Sequence, residues 1–184
     1  MFRKLSVILV IGLLAFTVAC SSKSSSTNAA SATGAAASVA ATSTPAACPT
    51  KNTESFAKTK FVADVAIAGG AFKRYIYTPA KDGKFKKGAN GRVLAFVKAA
   101  AAGALTVNRL EAAKTAAQAN PTLCKLLAEP IAKFSAAVSG LIGKAKGGSI
   151  DPSDVDNASG YLSSLHGAAS QGGAAFTDNT STSA

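Results

Sequence analysis

The sequence predicts an all-α fold, a compact bundle of about four amphipathic helices carrying one disulfide. Three observations lead there. Apolar residues recur at steps of three and four in four separate stretches. Cap residues, prolines and glycines punctuate the intervals between those stretches. No stretch alternates apolar and polar residues over a length that would make a useful strand.

The chain opens with an export signal at residues 1–19. Arg3 and Lys4 supply positive charge, residues 6–19 are almost wholly apolar, and small residues precede Cys20. A helix needs about 20 apolar residues to span a bilayer core, and this run ends sooner. Thr17-Val18-Ala19-Cys20 resembles the lipobox of bacterial lipoproteins, although Thr17 stands where leucine is usual. The resemblance covers this segment alone. It implies that Cys20 is thioether-linked to diacylglycerol, becomes the first residue after cleavage, and holds the protein on the outer face of the bacterial cell membrane. Thr-Val-Ala also suits an ordinary signal peptidase.

Residues 20–47 read as the lipidated cysteine followed by a tether. Nearly every residue is Ser, Thr, Ala, Asn or Gly, with too little apolar surface to offset the entropy of ordering. Random-coil scaling gives such a tether a reach of about 30 Å. The helical domain is expected over residues 48–171, and residues 172–184, mostly glycine, alanine and small polar residues, are expected to be disordered.

If lipid takes Cys20, Cys48 and Cys124 remain as the pair able to form a disulfide in an oxidising compartment. Two buried free thiols are the alternative.

The first helix follows Pro49, with Thr50, Asn52 and Thr53 as candidate caps. Its stripe is Phe61, Val65, Ala68, Phe72 and Tyr75, and it ends before Pro79. Gly69 and Gly70, mid-helix, suit either the close approach of a neighbouring helix, the favoured reading, or a bend of the helix. A second helix over residues 92–119 places Val93, Val97, Ala100, Ala104 and Val107 on one stripe, continued near Leu110. Neither helix carries an uninterrupted apolar run of spanning length. Asn120-Pro121 starts a third helix, in which Pro130 breaks or kinks a stripe of Leu127, Ile131, Phe134, Val138 and Leu141. Gly147-Gly148 closes it. Asp151-Pro152 starts a fourth, with Val155, Ala158, Leu162, Leu165 and Ala169 on its stripe and with Asp151 and Asp154 placed as capping acids.

The formal charge is +11, and +9 once Arg3 and Lys4 leave with the signal; it lies almost entirely between Lys51 and Lys146. The densest part is the loop of residues 81–92, where Lys81, Lys84, Lys86, Lys87 and Arg92 surround a single Phe85 among turn-forming glycines. These five cations are the candidate anion-binding residues. On an exported domain they favour anionic lipid headgroups or wall polymers as partners; nucleic acid is not expected there.

Other chemistry finds little support. His166 is the only histidine, so a multi-histidine metal site is excluded, and a structural role is expected for it. Asp151, Asp154 and Asp156 lack the glycine and terminal glutamate of a calcium loop. Glu54, Asp64, Glu111 and Glu129 are dispersed, and the glycine clusters form no complete phosphate-binding signature. No cofactor, no metal and no enzymatic activity are expected. Two functions stay in play: an anchored module gripping anionic surfaces through the basic loop, with Phe85 adding an apolar contact, and a carrier or sensor of a small apolar molecule, with Gly69, Gly70 and Gly103 lining a cavity.

Overall fold

The computed structural model describes residues 47–181, so the signal, Cys20 and almost all of the tether lie outside the described residues. The domain is all-helical and no strand occurs among the described residues. Helix α1 (Ala57–Phe72) runs into a π-helical turn (Lys73–Tyr77) and a last helical turn, α2 (Thr78–Lys81); α3 (Arg92–Gln118), α4 (Pro121–Lys146) and α5 (Pro152–Gln171) follow. The two largest helix packings are α3 on α4 and α1 on α3, and α5 packs on α4. Counting α1 to α2 as one rod, this is a four-helix bundle with short connections.

Both ends of α4 form as their residues dictate. The Asn120 side chain accepts hydrogen bonds from the Thr122 and Leu123 amides at 3.0 Å, and Pro121 occupies the first turn, where its missing N–H is harmless. At the other end Gly148 takes φ +70°, which lets Ser149 N–H reach the Lys144 carbonyl and satisfies the last turn. Leu127, Ile131, Phe134, Val138 and Leu141 are all buried, as are Val155, Ala158, Leu162, Leu165 and Ala169 of α5.

Several local expectations need correction. Of the break or kink expected at Pro130, the break does not occur: α4 is one helix on both sides of it, and the apolar stripe that flanks the proline holds the helix to the core. The first helix starts at Ala57, later than its candidate caps. Thr53 N–H instead bonds the Ala119 carbonyl at 2.9 Å, and Asn52 accepts from Asn120, so these residues fasten the entering chain to the α3–α4 junction. Nor does that helix stop before Pro79. The wider π-helical turn intervenes, Pro79 falls within the first turn of α2, and Ile76 replaces Tyr75 as the buried residue after Phe72. Asp151 begins α5 without a side-chain cap bond; with Asp154 it binds Lys144 instead.

The largest correction concerns α3. Of its expected stripe only Leu110 is buried, whereas Val93 and Val97 are 77% and 60% exposed. The core is reached by Phe96, Ala99, Gly103, Thr106, Leu110, Ala113 and Ala117. Thr106 satisfies its hydroxyl within the bundle, donating to Ala102 of its own turn at 2.9 Å and lying 3.3 Å from the Ala68 carbonyl of α1. By length and composition alone α3 and α4 could each cross a membrane; in the bundle each buries one face against its neighbours.

Cys48 and Cys124 are joined by a disulfide with a Cα–Cα distance of 5.7 Å. It fixes the entering chain at the pole of the α3–α4 junction. The opposite pole carries the α2–α3 and α4–α5 connections, about 40 Å away along the 27 residues of α3.

The segment after α5 also departs from expectation. Through Thr180 it returns along α1 in fixed contacts. Asn179 N–H bonds the Ala66 carbonyl at 2.7 Å, Arg74 reaches the Thr180 carbonyl at 2.8 Å, and Phe176 meets the edge of Phe61. Gly69 and Gly70 make this possible, because a Cβ on either would overlap Asp178 or the Asn179 backbone. The mid-helix glycines therefore admit the chain's own C-terminal segment rather than a neighbouring helix.

Candidate anion-binding surface

The basic loop is held by two of the residues that sequence reasoning had assigned to a partner. Phe85 is buried and stacks on Phe96 of α3, with ring centroids 5.0 Å apart. Arg92 donates from Nε to the Phe85 carbonyl at 2.9 Å and from Nη2 to the Gly148 carbonyl at 2.7 Å. Its guanidinium lies 4.8 Å from the Phe96 ring centre. Phe85 is thus a packing residue and offers no apolar contact to a partner, and Arg92 ties the loop to the α4–α5 connection. Lys81 is also engaged, at 2.6 Å from Asp156, and the hydrogen bond its ammonium donates to that carboxylate raises its pKa above the ordinary lysine value.

Lys84, Lys86 and Lys87 remain. All three are exposed, and none forms an ion pair among the described residues. Gly83, Gly88 and Gly91 each adopt positive φ, so the loop that carries the three lysines doubles back through tight turns. Asp82 is the one acid among residues 81–92, which leaves that segment with a formal charge of +4. The structure therefore divides the five candidates into two that build the loop and three free cations.

Sequence reasoning missed the surface that adjoins them. Val93, Leu94 (56% exposed) and Val97 lie on the outward side of the first turns of α3, followed by the exposed Lys98. The signal that could have found them was the second apolar series of α3, Phe96, Ala99, Gly103 and Leu110, which outcompetes the valines for the core because it includes the larger aromatic ring.

A second polar cluster sits where the C-terminal segment crosses α1 and α5. Asp178, with its side chain 5% exposed, lies 2.6 Å from Lys73 Nζ and 3.0 Å from His166 Nε2, while the His166 ring packs on Phe176 at 3.9 Å. Ser159 and Ser163 line the cleft beside it. The Ser163 hydroxyl donates to the Ser159 carbonyl, and Ser170 donates to the carbonyl of His166. No serine hydroxyl is hydrogen-bonded to the imidazole among the described residues. Lys73 and His166 partner the buried Asp178 carboxylate, which fastens the C-terminal segment to the π-helical turn and α5. Gly103, the third glycine considered for a ligand cavity, is covered by Ile142 of α4, whose Cγ1 would lie 2.5 Å from an added Cβ. No group of three or more metal-ligating side chains occurs among the described residues.

The chain matches no protein-family model, no curated protein and no solved structure.

Proposed function

We propose that the protein is an extracytoplasmic lipoprotein, anchored to the bacterial cell membrane through lipid on Cys20, whose helical domain binds anionic surfaces or polymers through Lys84, Lys86 and Lys87. It acts as an interaction module rather than an enzyme. The observation that carries this reading is the trio of exposed lysines, without an ion pair among the described residues, on a loop that Phe85 and Arg92 fasten to α3 and to the α4–α5 connection. A loop backbone already held in place adds little ordering cost when an anion arrives. Anion binding is tested with soluble polyphosphate and the detergent-solubilised full chain. Binding that weakens steeply with salt, and is lost in the Lys84→Gln/Lys86→Gln/Lys87→Gln variant with its helical content unchanged, is expected. Salt-insensitive binding, or none, overturns it. The anchor is tested by metabolic labelling with an alkynyl fatty acid; label should be incorporated and should vanish in Cys20→Ser. The carrier alternative has no specific support, because Gly69 and Gly70 are covered by the C-terminal segment and Gly103 by Ile142.

A further inference from the structure

The α2–α3 loop and the start of α3 expose two chemistries side by side. Lys84, Lys86 and Lys87 lie on the loop, Lys98 lies two turns into the helix, and Val93, Leu94 and Val97 are presented between them. Residues 83–110 contain no aspartate or glutamate, so no carboxylate of this stretch opposes the cations. Three branched aliphatic side chains left in water next to a core that contains Phe96 are not explained by packing. A soluble polyanion would satisfy the lysines and leave these side chains in water, whereas the boundary between headgroups and acyl chains accepts both.

We propose that the first two turns of α3 and the loop before them form a bilayer-docking face, in which Val93, Leu94 and Val97 enter the headgroup–acyl boundary of an anionic membrane while Lys84, Lys86, Lys87 and Lys98 lie at the level of the phosphates. This rests on the anion-binding reading of the loop and names its partner as a lipid surface. The face is at the pole opposite the disulfide, where the chain enters the bundle.

The chain contains no tryptophan, so Leu94→Trp introduces a single fluorescent reporter, and Val97→Trp provides a second should the first perturb folding. Each full-chain variant is reconstituted into phosphatidylglycerol vesicles and into phosphatidylcholine vesicles. Tyr161→Trp on α5 serves as a reporter away from the face. A blue-shifted emission, quenched by brominated acyl chains in phosphatidylglycerol only and absent for Tyr161→Trp, is expected. Each Lys→Gln change among the four lysines should lower the docking equilibrium constant about fivefold. Salt-sensitive polyphosphate binding without any shift or quenching would overturn bilayer docking and leave the anion-binding reading standing, with a soluble polymer as its partner. Quenching that is equal in both lipids and indifferent to the lysines would overturn the anionic requirement. Failure both to bind polyphosphate and to dock on either vesicle overturns both readings.

Discussion

At the scale of single residues, identity matters most where the backbone is approached closely. Gly70 lies under the Asn179 backbone, and a methyl group there has no space that a side-chain rotation could supply. Gly70→Ala should therefore lift the C-terminal segment from α1 and cost about 1 to 3 kcal/mol. Hydrogen exchange at the Asn179 amide, which now bonds the Ala66 carbonyl, would rise toward the rate of an open chain; retained protection would show that the segment can shift without releasing. Phe85 and Arg92 teach the same lesson from the other side. Their types in a basic loop suggest a ligand contact, yet a large aromatic with a ring partner at 5.0 Å is buried by the same physics that builds the core.

At the scale of elements, the helices were legible and their interruptions were not. The stripes of α4 and α5 were read correctly because each has one clearly apolar side, whereas the alanine-rich α3 offers two sides of similar hydropathy. Pro130 lacks the N–H that an interior helical position donates to the carbonyl four residues earlier. Since α4 runs through it, Pro130→Ala should stabilise the domain, by up to about 3 kcal/mol. Thermal unfolding measures this; an unchanged or lower midpoint would mean that the proline shapes the helix in a way alanine cannot. The exposed Glu129–Lys133 pair of the same helix, at 2.7 Å, sets a pH dependence. The hydrogen bond from Lys133 lowers the Glu129 pKa below its usual 4.5 and its counterpart raises Lys133 above 10.5. Stability from Glu129 is present above pH 4.5 and is lost as pH falls through the lowered value. Stability from Lys133 is complete below pH 10.5 and is lost as pH rises through the raised one. Glu129→Gln should unfold slightly earlier than the parent at neutral pH and together with it in strong acid, as temperature scans at the two pH values would reveal.

At the scale of the whole molecule, the disulfide and the C-terminal segment close the bundle from its two chain ends. Cys48 and Cys124 are 76 residues apart. In the chain-entropy view, closing a loop of that length stabilises the domain by about 4 to 5 kcal/mol. Replacing both cysteines by alanine should lower unfolding stability by an amount of this order in denaturant titrations, with the α2–α3 loop unaffected at its distant pole. A loss of polyphosphate binding by the folded double variant would contradict that separation of the two poles.

The sequence by itself determined the all-α class, the four helical stretches and the Asn120 and Gly148 boundaries, because periodicity and caps are local properties; it left Cys48 and Cys124 open between a disulfide and two buried thiols, and the tertiary structure joins them. Only the tertiary structure decided which side of α3 faces the core and which of five cations remain free. It also decided that Gly69 and Gly70 receive the C-terminal segment. Each of these depends on competition between residues distant in the chain for the same contact. Phe96 took the interior that the valines could have filled, Asp156 claimed Lys81, and the Phe85 and Gly148 carbonyls claimed Arg92. A ranking of that kind is set by packing and by satisfied hydrogen bonds between elements, and neither is written in the spacing of any one of them.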